Sequence, residues 1–551
     1  MRATKAATGL ALGLLLAVGC SGEGSKEQAS DTNAGGADAT KPSGSGGSTH
    51  EGGATSSGGS GSGYDSTAGA PSAPKDGQTG CAGRLSPVEP SGKVEVVGDG
   101  SADSCSAEAL DEAMAVLNET DGGGTLTFDC GGERTIELEQ SLYVANPLII
   151  DGNGQVTLSG GGRVRVIELD HYVDLVLQRL TIRDGFVPAG SENESGAGLL
   201  HPWFGTLKVI DVTFENNHSE SQDHDVGGGA IYAGGLTEAI ISGCTFVGNS
   251  GSTGGAVLSR STNLRVVDSV FRENSATTWA EDGQYGNGGG LYIDRMWLDD
   301  PIDFVLCGTL FESNHAKVHG SAFFSYNLEG SGARFDRCTF RGNDMQDSPG
   351  GGTGTVYHEG VPLTLADCTF SDNATGAHAG GIFLGGGTDA EVTNCTFANN
   401  QTPGNAGALW AGNGTVEVTN TTFYGNDADY GPAIFKGQSG KVTLTNVIFS
   451  NNTTANEYSA LACHETFGDG GGNVQWPDKK NNGNADTSCA EGILFEDPEL
   501  LPLGDNGGPT ETMALPAGSP AIDIGSDCPD RDQRGEPRAG DCDSGAYEVE
   551  P

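Results

Sequence analysis

The chain is short of positive charge. Lys and Arg number 28 against 74 Asp and Glu, a formal net charge of −46 over 551 residues. A phosphate binder needs a basic face, so nucleic acid is excluded as a partner class. Electrostatic docking on anionic lipid is excluded for the same reason. Aromatic residues are sparse at 7%, and hydrophobic residues reach only 35%. After Val18 no apolar run is long enough to cross a bilayer, so the remainder is expected to be soluble. No Gly-x-y period is present, which excludes collagen. Helix formers are too thinly spread for a coiled coil or a helical array. What is abundant is glycine, at 91 residues. Length alone would give three or four ordinary domains, but an internal repeat overrides that prior.

A repeat is present. Its core is Phe-x-x-Asn, found as Phe214/Asn217, Phe246/Asn249, Phe271/Asn274, Phe311/Asn314, Phe340/Asn343, Phe370/Asn373, Phe397/Asn400, Phe423/Asn426 and Phe449/Asn452. A second element of small residue, Gly and apolar residue follows most copies, as in Gly228-Gly229-Ala230-Ile231 and Gly254-Gly255-Ala256-Val257. Between them lie alternating runs such as Lys441-Val442-Thr443-Leu444-Thr445. Alternation means strands with one buried face. The spacing settles at 26 residues, from Phe397 to Phe423 to Phe449. That accommodates three short strands and three turns, one coil of a parallel β-helix. Stacked coils place Phe on Phe inside. The Asn is expected at a turn, in left-handed backbone, with its amide bonded to the Asn above and below. Gly-Gly supplies positive φ at another corner.

The fold class predicted is all-β: a right-handed parallel β-helix with three strands per coil, an N-terminal capping helix and a small C-terminal extension. The cap falls at about 104–120, where Leu110, Ala113, Met114 and Leu117 share one helical face behind Ser106. The β-helix occupies 81–499, with regular repeats over about 206–455 and a C-terminal region over 500–551.

Cysteines test the register. Cys244, Cys338, Cys368 and Cys395 lie two residues before the repeat Phe and share its inward parity. Cys307 lies four before and is read as inward too. All five are read as buried small hydrophobes. Cys105 with Cys130, Cys463 with Cys489 and Cys528 with Cys542 are candidate disulfides by proximity alone; sequence does not settle connectivity. Cys81 has no obvious partner.

At the N-terminus, Arg2 and Lys5 precede an apolar stretch, and Ala17-Val18-Gly19-Cys20 closes it. This resembles a bacterial lipobox, which implies a signal peptide over 1–19 and lipidation of Cys20. Residues 20–80 follow as a tether; 21–80 hold 16 Gly and 12 Ser, too few apolar side chains to offset ordering. Residues 214–452 resemble the polymorphic outer-membrane-protein repeat of chlamydial surface proteins, within the pectin-lyase-like β-helix superfamily. Asp505-Asn506-Gly507-Gly508-Pro509, Ser519-Pro520-Ala521-Ile522-Asp523, Asp532-Gln533-Arg534-Gly535 and Cys542-Asp543-Ser544-Gly545-Ala546-Tyr547-Glu548 are similar to the choice-of-anchor Q domain. These resemblances imply a surface protein held in the outer membrane of a Gram-negative bacterium through the lipid on Cys20. They imply no reaction.

The signatures of pectate lyases and polygalacturonases are missing; His378-Ala379-Gly380 is the nearest approach to Gly-His-Gly. Three loop clusters remain. His218, Glu220, Asp223, His224 and Asp225 are expected near Glu192, Glu194 and His201, a set suited to a metal or to acid–base work. An insert carries Trp279, Tyr285, Tyr292 and Trp297, the candidate ligand-facing aromatics. Asp523, Asp527, Asp530, Asp532, Asp541 and Asp543 offer oxygens to Ca2+, although no cofactor is required. For each, the plainer reading is a solvated or structural surface. The function expected is non-enzymatic: a cell-surface lipoprotein whose β-helix recognises glycan or another surface component. The alternative is a polysaccharide lyase or glycoside hydrolase with a site on the inserted loops.

Overall fold

The computed structural model describes residues 81–223, 226–278, 286–294, 303–327, 332–348, 351–538 and 540–550. The chain winds as a right-handed parallel β-helix. Each regular coil contributes two strands to a 25-stranded sheet and one to an 11-stranded sheet; the first repeats add a two-residue rung to a 4-stranded sheet. One coil reads Glu238–Ser242, Thr245–Val247, Ser250–Gly251 and Val257–Arg260. The strands of these sheets pair parallel, and equivalent residues fall opposite one another: Phe214 on Phe246, Phe246 on Phe271, Phe271 on Phe311. The helix Ala107–Asn118 closes the N-terminal end. Ser106 Oγ accepts from the Ala109 amide, and Leu110, Ala113, Met114 and Leu117 are buried against the first rungs.

Two ladders run through the interior. The repeat Phe rings stack at centroid separations from 4.6 Å to 5.3 Å, for example Phe246 on Phe271 and Phe423 on Phe449. The nine Asn are buried. Asn314 shows the pattern. Its Nδ2 donates to Phe271 O at 2.9 Å and to Asn343 Oδ1 at 3.0 Å, and its Oδ1 accepts from the amide and the Nδ2 of Asn274. Every polar atom of the side chain is satisfied, which makes a buried amide tolerable. The left-handed residue is not this Asn. It is the one before it: Asn216, Gly248, Glu273, Ser313, Gly342, Asp372, Asn399, Gly425 and Asn451 all have positive φ. That residue reverses the inside–outside alternation and turns both Phe and Asn inward.

A second left-handed position falls between the two strands of the large sheet, at Asp211, Gly243, Asp268, Gly308, Arg337, Asp367, Asn394, Asn420 and Asn446. It corrects the reading of Cys307. Leu306 points in and Gly308 breaks the alternation, so Cys307 faces out, where it is disulfide-bonded to Cys81 across 226 residues. The other bridges join Cys105 to Cys130, Cys463 to Cys489 and Cys528 to Cys542. Cys244, Cys338, Cys368 and Cys395 are buried thiols.

Both terminal segments dress this corner. From Cys81 the chain runs back along the outside of the coils. Arg84 bonds Ser242 and Asp211, Val88 exchanges two hydrogen bonds with Gln178, and Ser91 reaches Thr125 before the strand Lys93–Val97. The C-terminal region covers the later coils. Gln533 Nε2 donates to Thr369 Oγ1 at 2.8 Å while its Oε1 accepts from Thr396. Asn394 donates to Arg531 O, Asn420 to Asp543 O and Asn446 to Ser526 O.

Asp367 lies beneath this C-terminal cover. Burial, with Asp336 and Asp532 nearby, pushes its carboxyl from 3.8 up to about 6, against the pull of the Asn394 amide and Arg337. The folded state therefore holds that proton more tightly than the unfolded chain. Its contribution is fully present below pH 3.8 and is lost as pH rises through about 6. Asp367→Asn keeps a residue suited to left-handed backbone. It is expected to raise stability at pH 8 by about 3 kcal/mol and to leave it nearly unchanged at pH 4. Melting curves at the two pH values check this.

Candidate functional site

The first three rungs of the 11-stranded sheet are Leu142–Val144, Ile167–Leu169 and Leu199–His201. Alternation sends Leu142, Val144, Ile167, Leu169 and Leu199 into the core. It turns Tyr143, Glu168 and Leu200 outward in register. Beside this stripe the chain leaves the coil after Phe186–Val187 and returns only at Leu199. The excursion walls a cleft of about 700 Å3 whose floor is Tyr143, Glu168 and Leu200. Ser191, Glu192 and Asn193 line one side, and Asp170, His171 and Pro202 the other.

Arg165 ties the wall to the floor. Its guanidinium donates to Glu168 Oε2 at 2.6 Å, to the carbonyls of Asn193 and Ser195, and to Gly196 O. The side chain is nearly buried. Burial lowers its hold on the proton, and Glu168 opposes that loss. Arg163 is occupied by Glu137 at 2.7 Å. Desolvation first, then the nearby Asp170 carboxylate, raises the Tyr143 phenol.

Two aromatic rings adjoin the cleft lining along the chain. Tyr172 follows groove-lining His171, and Phe204 lies just beyond Pro202 on the next coil. The rings stack at 4.6 Å with an interplanar angle of 12°. Tyr172 is 70% exposed, so its other face meets solvent. Both residues hold left-handed backbone, φ 67° and 65°. That conformation is costly for a bulky side chain, and such strain concentrates at functional positions.

Of the residues singled out from sequence, Glu192 lines this cleft; the other described ones fall elsewhere. His201 points into the core, opposite Ala233, because it shares parity with Leu199. Its Nε2 donates to Val173 O at 2.9 Å, and burial drives its pKa down to about 4. It cannot join Glu192 and Glu194 on the surface. His218 bonds Ser250 and stacks on Phe186, and Glu194 accepts from the Gly190 amide. His224 and Asp225 lie outside the described residues, as do Cys20, Trp279, Tyr285 and Trp297. Among the described residues no three His, Cys, Asp or Glu side chains are grouped to hold a metal. In the tail, Asp532 accepts from the amides of Arg534, Glu536 and Glu548, and Asp543 from those of Asp523 and Val549. Those oxygens brace the C-terminal loops.

Tyr292 belongs to a ladder on the outer face of the 11-stranded sheet. Tyr292, Phe324, Tyr357, Phe383, Trp410 and Phe435 stack at 4.7–5.2 Å. Tyr292 also packs with Leu200, Tyr232 and Leu258. Rings stacked along the axis give their faces to each other and only their edges to solvent, a poor surface for a sugar ring. Apart from Glu192, the groove residues were missed because the early coils lack Phe-x-x-Asn and offered no register. The available signal was Asp170-His171-Tyr172 and Trp203-Phe204, bulky groups interrupting the alternation on either side of the excursion between Val187 and Leu199.

The right handed beta helix region family matches residues 307–454, and the Chlamydia polymorphic membrane protein repeat matches residues 211–234. Metabotropic glutamate receptor-like protein Q of Dictyostelium discoideum is 30% identical over 158 residues, 28% of this chain and 12% of that protein. The chain thus spans a small part of that relative's length. PfbA, a surface adhesin of Streptococcus pneumoniae, superposes with a TM-score of 0.34 at 11% identity, covering 77% of this chain and 100% of that one. Among the described residues no helix is long and apolar enough to cross a membrane. Its regular coils make this chain similar to right-handed β-helix proteins bearing that repeat.

Proposed function

We propose that this protein is a surface-displayed recognition module that binds glycan in the cleft under residues 188–196. The observation that carries the reading is the open face of Tyr172 beside a polar cleft of about 700 Å3. Ligand sites are concave, with few polar groups held in place around apolar surface. Here Arg165 fixes the wall and Tyr172 offers a platform. The β-helix supplies a rigid wall for both. The match to a membrane-protein repeat and the lipobox-like Ala17-Val18-Gly19-Cys20 support display at the cell surface through a lipid on Cys20.

Tyr172→Ala is expected to weaken glycan binding at least tenfold while leaving the melting temperature within a degree or two, because the ring is mostly exposed. Titration calorimetry with the bound oligosaccharide checks it; unchanged affinity would place the ligand elsewhere. A second reading, glycoside hydrolysis, is favoured by Glu168, Asp170 and Glu192 lining one cleft. Reducing-sugar release that Glu192→Gln abolishes would establish it; binding without turnover excludes it.

A further inference from the structure

The groove's own chemistry narrows its ligand, and this step rests on the recognition reading above. We infer that the ligand is an uncharged pyranose glycan rather than a uronate or sulfated polymer. The cleft's two arginines are committed. Arg165 makes three hydrogen bonds to the wall and one to Glu168 on the floor, and Arg163 pairs with Glu137. Asp170 and Glu192 both line the cleft, with no Lys or Arg paired to them among the described residues. A carboxylated or sulfated sugar entering there would bring like charge against two carboxylates. It would do so on a chain already carrying −46. The same carboxylates are strong acceptors, and Ser141 and Ser191 add hydroxyls. An acceptor-rich cleft suits a ligand that presents many O–H donors. The open face of Tyr172 suits the apolar C–H face of a pyranose ring.

The test is fluorescence polarisation with end-labelled hexaoses. The neutral arm comprises β-1,4-glucan, α-1,4-glucan, mannan and xylan fragments. The acidic arm comprises oligogalacturonate and a sulfated glycosaminoglycan fragment. Each is run at low and high salt. The expected result is saturable binding of at least one neutral hexaose, insensitive to salt and lost at least tenfold in Tyr172→Ala. Both acidic probes should bind at least tenfold more weakly. Glu192→Gln should narrow that gap by strengthening the acidic probes, a change that a purely structural Glu192 would not produce. If an acidic probe binds more tightly and Tyr172→Ala weakens it, the ligand class is wrong and the groove reading survives. If no probe of either arm binds, or Tyr172→Ala leaves binding intact, the groove reading fails and the ligand class falls with it.

Discussion

Asn343→Leu is expected to unfold or severely loosen the coils around it. The native amide accepts from the Asn314 backbone N–H at 2.9 Å and from Asn314 Nδ2 at 3.0 Å. It donates to Phe311 O and to Asn373 Oδ1, both at 3.0 Å. Leucine has similar bulk and supplies none of these bonds. The Asn314 amide and one Nδ2 hydrogen are left in the interior without partners, and Phe311 O loses a donor. Each orphaned group costs about 1–3 kcal/mol, so the total is about 4–6 kcal/mol, a large share of a typical domain's stability. Asn343→Asp restores the acceptor but turns a second oxygen toward two acceptors, so it is expected to be no better. Denaturant unfolding read by tryptophan fluorescence checks both variants. A loss below about 1 kcal/mol for the leucine variant would mean the ladder contributes little.

The second large effect is predicted at Gly289. Its backbone is not left-handed; Gly288 before it takes that role, with φ 67°. What Gly289 needs is the absence of a side chain. A Cβ there would lie 2.1 Å from Ser321 O and 2.3 Å from His315 O, both backbone atoms of the next coil. Real contacts do not come so close, and backbone paired into a parallel ladder cannot step aside without breaking rungs. Gly289→Ala is therefore expected to cost more than about 4 kcal/mol or to prevent soluble expression. Gly387→Ala is the matched control, because a Cβ there meets nothing within 4 Å; it is expected to be neutral. Thermal melts of the pair separate crowding from any general intolerance of side chains at glycine.

The two predictions rest on parts of the sequence that differ in legibility. Phe-x-x-Asn and Gly-Gly-apolar were readable because translational stacking repeats the same demand in every coil, and repetition exposes it. The β-helix, the buried Phe ladder and the Asn-to-Asn bonding follow from that pattern. The identity of the left-handed residue did not. Asn is the obvious candidate, yet the position before it takes Glu273 and Ser313 as readily as Gly248. Backbone demand there is met by coil stacking rather than by residue choice. Cys307 was misread for a related reason: counting by twos fails across Gly308, where φ is 61°. Its partner Cys81 lies outside the repeat, and a contact over 226 residues has no local signature. The groove was illegible because it is made by an excursion from the pattern. Arg165, Glu168 and Asn193 meet only after the coils stack. Sequence pointed instead to Trp279, Tyr285, Tyr292 and Trp297; of these Tyr292 is described, and it belongs to the stacked outer ladder.

The most direct test of the central claim is hydrogen exchange of the whole chain with and without the neutral hexaose that binds best. The account predicts slowed exchange confined to the amides of 163–172 and 186–204, the floor and walls of the cleft. Protection along 291–294, 323–326 and 409–411, the strands of the outer aromatic ladder, with none at the cleft would contradict it.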